Sequence, residues 1–141
     1  MSERQGRCLC GDVTYRVSAD PLVTRICWCS DCQNLSANGT ANMLVLSEAL
    51  TITGATHEYA SRADSGNMIR RRFCPRCGVH LFANADVRPK FTVVRVGTLD
   101  DPSTAKPSIN IWVGSAPTWA CVDRQLECVE RQPAPPVAAK A

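Results

Sequence analysis

Seven cysteines fall into three tight groups: Cys8-Leu9-Cys10, Cys27-Trp28-Cys29-Ser30-Asp31-Cys32 and Cys74-Pro75-Arg76-Cys77. Gly11 and Gly78 stand directly behind the first and third groups. Close-spaced thiolates beside a glycine make a tight knuckle that aims two sulfurs at one ion. Soft thiolate donors in tetrahedral geometry favour zinc. The count says more than the spacing. A closed structural site takes four sulfurs, and the three left over would leave a fourth position for water or substrate, the mark of a catalytic zinc. The competing reading is one four-cysteine site plus spare buried thiols. Spacing leaves the partition open. Cys29 and Cys32 with Cys74 and Cys77 would make a zinc ribbon. Cys8 and Cys10 with Cys74 and Cys77 would leave Cys27, Cys29 and Cys32 as an open triad.

The rest of the composition supports metal over disulfide. The chain has nine cysteines in 141 residues, an odd number that cannot pair fully within itself. The opening Met-Ser-Glu-Arg-Gln-Gly-Arg is polar with no apolar segment behind it, so the expected compartment is the reducing cytoplasm, where clustered thiols bind metal more often than they form disulfides. No apolar run is long enough to span a membrane. The formal net charge of +3 and the lack of an aromatic–basic stripe argue against nucleic acid as a partner.

These groups need rigid elements to hold them, and the pattern is that of a β-protein. Val13, Tyr15 and Val17 alternate with Thr14, Arg16 and Ser18, a half-buried strand. Residues 43–46, 50–53, 58–61, 67–73, 79–83, 91–96 and 109–113 read as further strands. Asp20-Pro21, Asn38-Gly39, Ser65-Gly66, Arg88-Pro89 and Asp101-Pro102 supply turns between them. Helix is scarce: one short turn capped by Ser30 and running to Leu35, and a second over Cys121 to Glu130. A zinc domain is expected over residues 1–131. The Pro- and Ala-rich stretch 132–141 is expected to be disordered.

Taken together, three segments resemble the glutathione-dependent formaldehyde-activating enzyme family, also called the GFA or centromere protein V (CENP-V) domain. They are Gly6-Arg7-Cys8-Leu9-Cys10-Gly11-Asp12-Val13-Thr14-Tyr15, the run Cys27 to Cys32, and Arg71-Arg72-Phe73-Cys74-Pro75-Arg76-Cys77-Gly78-Val79-His80-Leu81. A closing stretch from Lys106 to Trp119 is also similar, so the likeness runs from about Gly6 to Asp123. The resemblance implies a mainly β, Mss4-like fold of small antiparallel sheets around zinc knuckles. It implies a structural zinc on Cys8, Cys10, Cys74 and Cys77, and a second, catalytic zinc on Cys27, Cys29 and Cys32. The implied activity joins formaldehyde and glutathione into S-hydroxymethylglutathione, or splits it again as a carbon–sulfur lyase. Two positions depart from the family's usual pattern. Trp28 stands where a histidine is usual, and Ala37 where a glycine is usual.

Three thiolates on one Zn²⁺ carry a net charge of −1, which weakens the ion as a Lewis acid toward carbonyls. It can still hold an incoming thiol as thiolate, whereas a free thiol with a pKa near about 8.5 is mostly protonated at neutral pH. Proximity to the aldehyde adds to this. Other residues have plainer expected roles. Arg70 and Arg72 should share one face of a strand and Arg71 the other. One such face, or Arg25, could hold a substrate carboxylate, against the alternative of a solvated sheet edge. Asp31 is expected to bond nearby backbone N–H groups. His80 should be packed, His57 exposed in a polar turn, Cys121 buried, and Cys128 incidental. Trp112 and Trp119 are expected in the core or at a pocket mouth. The alternative to an enzyme is a zinc module that binds a protein or nucleic acid, because fold alone does not settle function.

Overall fold

The computed structural model describes residues 2–136. The end of the stretch expected to be disordered, residues 137–141, lies outside them. The strands are β1 (Arg4–Arg7), β2 (Thr14–Val17), β3 (Val23–Cys27), β4 (Thr40–Leu46), β5 (Leu50–Thr53), β6 (His57–Arg62), β7 (Met68–Phe73), β8 (His80–Ala85), β9 (Phe91–Arg95), β10 (Ile109–Ile111) and β11 (Glu127–Val129), with one α-helix, α1 (Ser30–Ser36), between β3 and β4. They form a three-stranded sheet in the order β1-β2-β5 and an eight-stranded sheet in the order β11-β10-β3-β4-β9-β8-β7-β6. Pairing is antiparallel except around β10, which runs parallel to both β3 and β11. No helix among the described residues is long and apolar enough to cross a membrane.

The side-chain periods explain the placement. In β2, Tyr15 and Val17 are buried while Thr14 and Arg16 are exposed, the alternation of a strand with one wet face. Central β4 is buried along most of its length, which is why Met43 to Leu46 reads as a continuous apolar run. At the outer edge, β6 is mostly exposed. The small sheet packs on the large one through Tyr15, whose ring meets Phe82 edge-on at 5.2 Å and whose hydroxyl bonds Thr98 Oγ1 at 2.7 Å. Gly6 permits that contact, since a Cβ there would collide with the Tyr15 ring and the Thr98 carbonyl.

Two core clusters result. One gathers Val13, Tyr15, Val17, Met43, Leu81 and Phe82 around Cys8 and Cys74. The other gathers Trp28, Ile111, Trp112 and Val113 around Cys27, Cys29 and Cys32. Each cysteine group therefore has its own packing environment.

Several expectations need correction. Residues Cys121 to Glu130 are not a helix: they form a turn-rich loop ending in β11, whose backbone is captured by β10. The helix after the second cysteine group is capped by Cys29 rather than Ser30, with Cys29 Sγ accepting from the Cys32 N–H. His57 lies on β6, not in a turn. Cys121 is exposed, and Trp119, at 70 % exposure, fills no core.

Candidate functional site

The first sulfur cluster forms where two turns meet. The β1–β2 turn carries Cys8 and Cys10, and the β7–β8 turn carries Cys74 and Cys77. Each turn closes through a glycine in the left-handed region, Gly11 at φ 84° and Gly78 at φ 75°, a conformation that strains any residue with a Cβ. The Gly11 N–H bonds the Cys8 carbonyl at 3.2 Å and the Gly78 N–H bonds the Cys74 carbonyl at 2.8 Å. All four sulfurs lie within 4.8 Å of one another. Cys8 Sγ is 3.7 Å from Cys10 Sγ, which is 3.6 Å from Cys74 Sγ. Four sulfurs at the Zn–S length of 2.3 Å in a tetrahedron would stand about 3.8 Å apart, so the cluster fits a closed zinc site.

Backbone amides favour ionised sulfur here. The Val13 N–H donates to Cys8 Sγ at 3.3 Å. The N–H groups of Arg76 and Cys77 donate to Cys74 Sγ at 3.4 and 3.5 Å. Burial pushes the Cys77 thiol up, but backbone bonds from Cys10 and Val79, together with the Cys74 and Cys8 thiols, bring the group down to about 6.

The second cluster is built differently. Cys27 ends β3, Cys29 caps α1 and Cys32 lies in its first turn. All three are buried, with sulfurs within 4.8 Å of one another. Three thiols crowded together favour a single ionised sulfur among them. Bonds from the Cys27 and then the Cys29 thiols, with Arg95 adding its charge, bring Cys32 down to about 2. Cys27 is pushed up by the same bonds to Cys29 and Cys32. Three soft donors, with no fourth cysteine joining the group among the described residues, suit a zinc that keeps one position open.

This cluster opens on a pocket in the large sheet, which among the described residues no cysteine of the four-sulfur cluster lines. Cys27, Cys29 and Cys32 line it together with Arg25, Arg71, Arg88 and Arg95. Arg71 is not part of a solvated edge: it is buried on the pocket side of β7, bonded to Asp31 Oδ2 at 2.9 Å and to Ser61 Oγ at 3.0 Å. β6 lies outside it and takes the edge. Arg70 turns the other way to pair with Glu58 and Asp86, and Arg72 lies over the Phe82 ring. Asp31 thus serves a side-chain ion pair rather than the backbone. Burial lowers the Arg25 guanidinium from its ordinary value, and the charge of Arg88 adds to that.

Two pocket residues had no motif to mark them. Arg95, on β9, faces Asn42 on β4 in register and donates to Asn42 Oδ1 at 2.8 Å. Asn42 Nδ2 in turn points at Cys32 Sγ, 4.0 Å away. Arg95 is 7 % exposed, and its Nε is buried without a protein partner among the described residues. The available signal was an arginine closing a β-branched strand, a costly residue at a core position. Arg88, in the β8–β9 turn, looked like ordinary turn chemistry.

The residues that depart from the usual family pattern also find their places. Trp28 is buried outside the pocket lining; its Nε1 reaches Asn110 Oδ1 at 3.4 Å, and its ring occupies the space a Cβ at Gly39 would need. Ala37 ends α1 at φ 63°, the left-handed position that suits glycine and costs another residue about 1 kcal/mol. His80 packs against Phe73 at 5.1 Å and belongs to neither cluster. Cys128, half-buried on β11, packs beside the three-sulfur cluster without joining it. Trp112 lines the pocket, and its Nε1 donates to Gln132 Oε1 at 3.0 Å. Pro135 and Pro136, in a segment with no regular element, also line it.

No curated protein matches the chain. Among solved structures, a Rhodobacter sphaeroides protein determined by structural genomics has a similar fold, with a TM-score of 0.54 and 23 % identity over 68 % of this chain and 87 % of that one. The sequence model of the glutathione-dependent formaldehyde-activating enzymes matches residues 3–115, a span that holds all seven clustered cysteines, and by that match the chain belongs to this family of enzymes.

Proposed function

We propose that the chain is a zinc-dependent carbon–sulfur lyase that adds a small thiol of the glutathione type to a small aldehyde, or reverses that step. One observation carries the reading: the three-sulfur cluster lines the pocket, while none of the four-sulfur cluster does so among the described residues. Cys8, Cys10, Cys74 and Cys77 would hold a structural ion. Cys27, Cys29 and Cys32 would hold the second. When bound there, the ion supplies a place where an incoming thiol is kept ionised.

The chain's own residues do the rest. Arg95 places a buried positive charge beside the three sulfurs, and Asn42 bridges it to Cys32. Arg71, fixed by Asp31 and Ser61, holds the wall opposite β3. Leu44, Phe91 and Ile111 supply apolar lining, which lowers the local dielectric and strengthens every charge interaction inside. In the forward direction the thiol sulfur bonds to the carbonyl carbon, and the proton the thiol gives up ends on the new hydroxyl oxygen. Nothing is oxidised or reduced. Nine free cysteines suit a reducing compartment, and we place the enzyme in the cytoplasm.

The direct test is exchange between glutathione–formaldehyde adduct and free formaldehyde, followed by NMR with and without protein. Acceleration proportional to enzyme concentration is expected; no acceleration contradicts the assignment.

Arg95 provides a second test that does not depend on turnover. It acts through the sulfurs and is a positioning residue. Arg95→Met should weaken zinc retention at the three-sulfur centre by about 10–100-fold, measured by competition with a chromogenic chelator. Arg95→Lys should recover part of the loss. Retention at the four-sulfur centre is the internal reference and should not change.

A further inference from the structure

We propose that residues 132–136 form a strap across the rim of the pocket and set the size of the molecules that reach Cys27, Cys29 and Cys32. This deepens the thiol-addition reading above and rests on it for the use of the three sulfurs.

The sheet delivers the strap to the sulfurs. β3, β10 and β11 run parallel, side by side, with Cys27, Ile111 and Val129 in one register row. The chain therefore leaves β11 two strand spacings, about 10 Å, from Cys27. Three residues on, Gln132 lines the pocket, and Pro135 and Pro136 line it as well. Trp112 is the anchor. Its backbone N–H donates to the Arg131 carbonyl at 3.3 Å, and its Nε1 donates to Gln132 Oε1 at 3.0 Å. Beside it, the Gly114 N–H donates to the Glu130 carbonyl at 3.2 Å. Trp112 is strained in this place, at φ 58° and ψ 33°, a left-handed conformation that bulky side chains avoid. Such strain persists where the surroundings over-determine it, and it gathers at ligand clamps and switch regions.

Beyond Gln132 no hydrogen bond ties the strap to the rest of the chain among the described residues. Pro133, Pro135 and Pro136 have no N–H to give, so no strand can take the segment into its ladder. Prolines also hold a chain extended without internal hydrogen bonds. The strap is thus a stiff wall fixed at one end, and it can swing outward without breaking a sheet. The cavity is about 150 Å³, a volume that takes a benzene-sized molecule. A small aldehyde fits there, as does the sulfur end of a thiol. A branched or multi-ring group has to push the strap aside. β11 and the strap lie beyond residues 3–115, the span that matches the family, so the filter belongs to this chain's own sequence.

Alkylation of the zinc-loaded protein, read at each cysteine by mass spectrometry, tests the strap. Iodoacetamide is the slim probe and 5-iodoacetamidofluorescein the bulky one, with the same reacting group. Exposed Cys121 reports the intrinsic reactivity of each. Relative to Cys121, the bulky reagent should lag the slim one at Cys27, Cys29 and Cys32 by about tenfold or more. Gln132→Ala combined with Pro135→Gly and Pro136→Gly should shrink the lag to about threefold or less. Gln132→Glu, which keeps an acceptor for Trp112, should retain it. A lag absent from the parent, or pocket reactivity that the triple variant leaves unchanged, overturns the strap. The formaldehyde-exchange assay separates the two readings. Accelerated exchange with a lag that survives the triple variant leaves the thiol reading without the strap. A lag that the triple variant removes, in a protein that accelerates no exchange, leaves the strap without the thiol reading.

Discussion

Cys74→Ser is expected to give a chain with no cooperative thermal transition. Cys74 is fully buried, and its sulfur accepts from two backbone N–H groups. It lies among the apolar residues that join the small sheet to the large one. The four-sulfur centre ties the β1–β2 turn to the β7–β8 turn, segments more than sixty residues apart in sequence. Structural zinc contributes roughly 10–16 kcal/mol in small domains, against a usual net stability of about 5–15 kcal/mol. Weakening that contribution removes more than the fold has to spare. Serine adds a second cost, because a buried hydroxyl replaces a sulfur in an apolar setting. Circular dichroism through a thermal scan, with zinc measured on the purified protein, reads the result. A cooperative melt within a few degrees of the parent would show that the sheets hold together without this centre.

How much of this could be read from the chain depends on the kind of signal. Spacing, with Gly11 and Gly78, whose left-handed φ values the knuckle demands, marks Cys8, Cys10, Cys74 and Cys77 as ligands, but it leaves their grouping open, and only the family resemblance puts these four on one ion. Strand β5 was legible because alternation over Leu50–Thr53 reflects one buried face. β1, β3 and β11 were not. β1 is the polar Arg-Gln-Gly-Arg, a strand only because β2 pairs with it. β3 places Arg25 and Cys27 toward a pocket rather than a core, which spoils its apolar pattern. β11 depends on β10, and no local rule foresees a parallel partner that distant. The same logic hid the inner pocket. Arg95 and Asn42 meet because β4 and β9 are neighbours in register, a fact of topology and not of motif. Arg71 shows the middle case: strand alternation separates it from Arg70 and Arg72, but only the approach of Asp31 on α1 makes its face an interior one.

Cys29→Ser is expected to abolish turnover and leave the fold standing, the reverse of the outcome at Cys74. The difference follows from what each sulfur does locally. Cys29 caps α1 from an extended backbone, φ −61° and ψ 160°, and its Sγ accepts from the Cys32 N–H at 3.4 Å. Serine is among the best residues for that position, so the helix keeps its cap. The three-sulfur cluster sits in a core of its own, with Trp28, Ile111 and Trp112, apart from the cluster around Cys74. Changes in separate, non-contacting clusters act independently, so the core around Cys74 should keep a cooperative melt, at a temperature lowered only by what the second ion contributes. The chemistry has no such reserve. With one of three donors replaced by a hydroxyl, zinc content should fall from two ions per chain toward one, and exchange of formaldehyde with glutathione should slow by on the order of 10³-fold, about 4 kcal/mol in the barrier. Turnover within threefold of the parent, in a protein that still melts cooperatively, would separate the three sulfurs from the reaction and return them to a structural role.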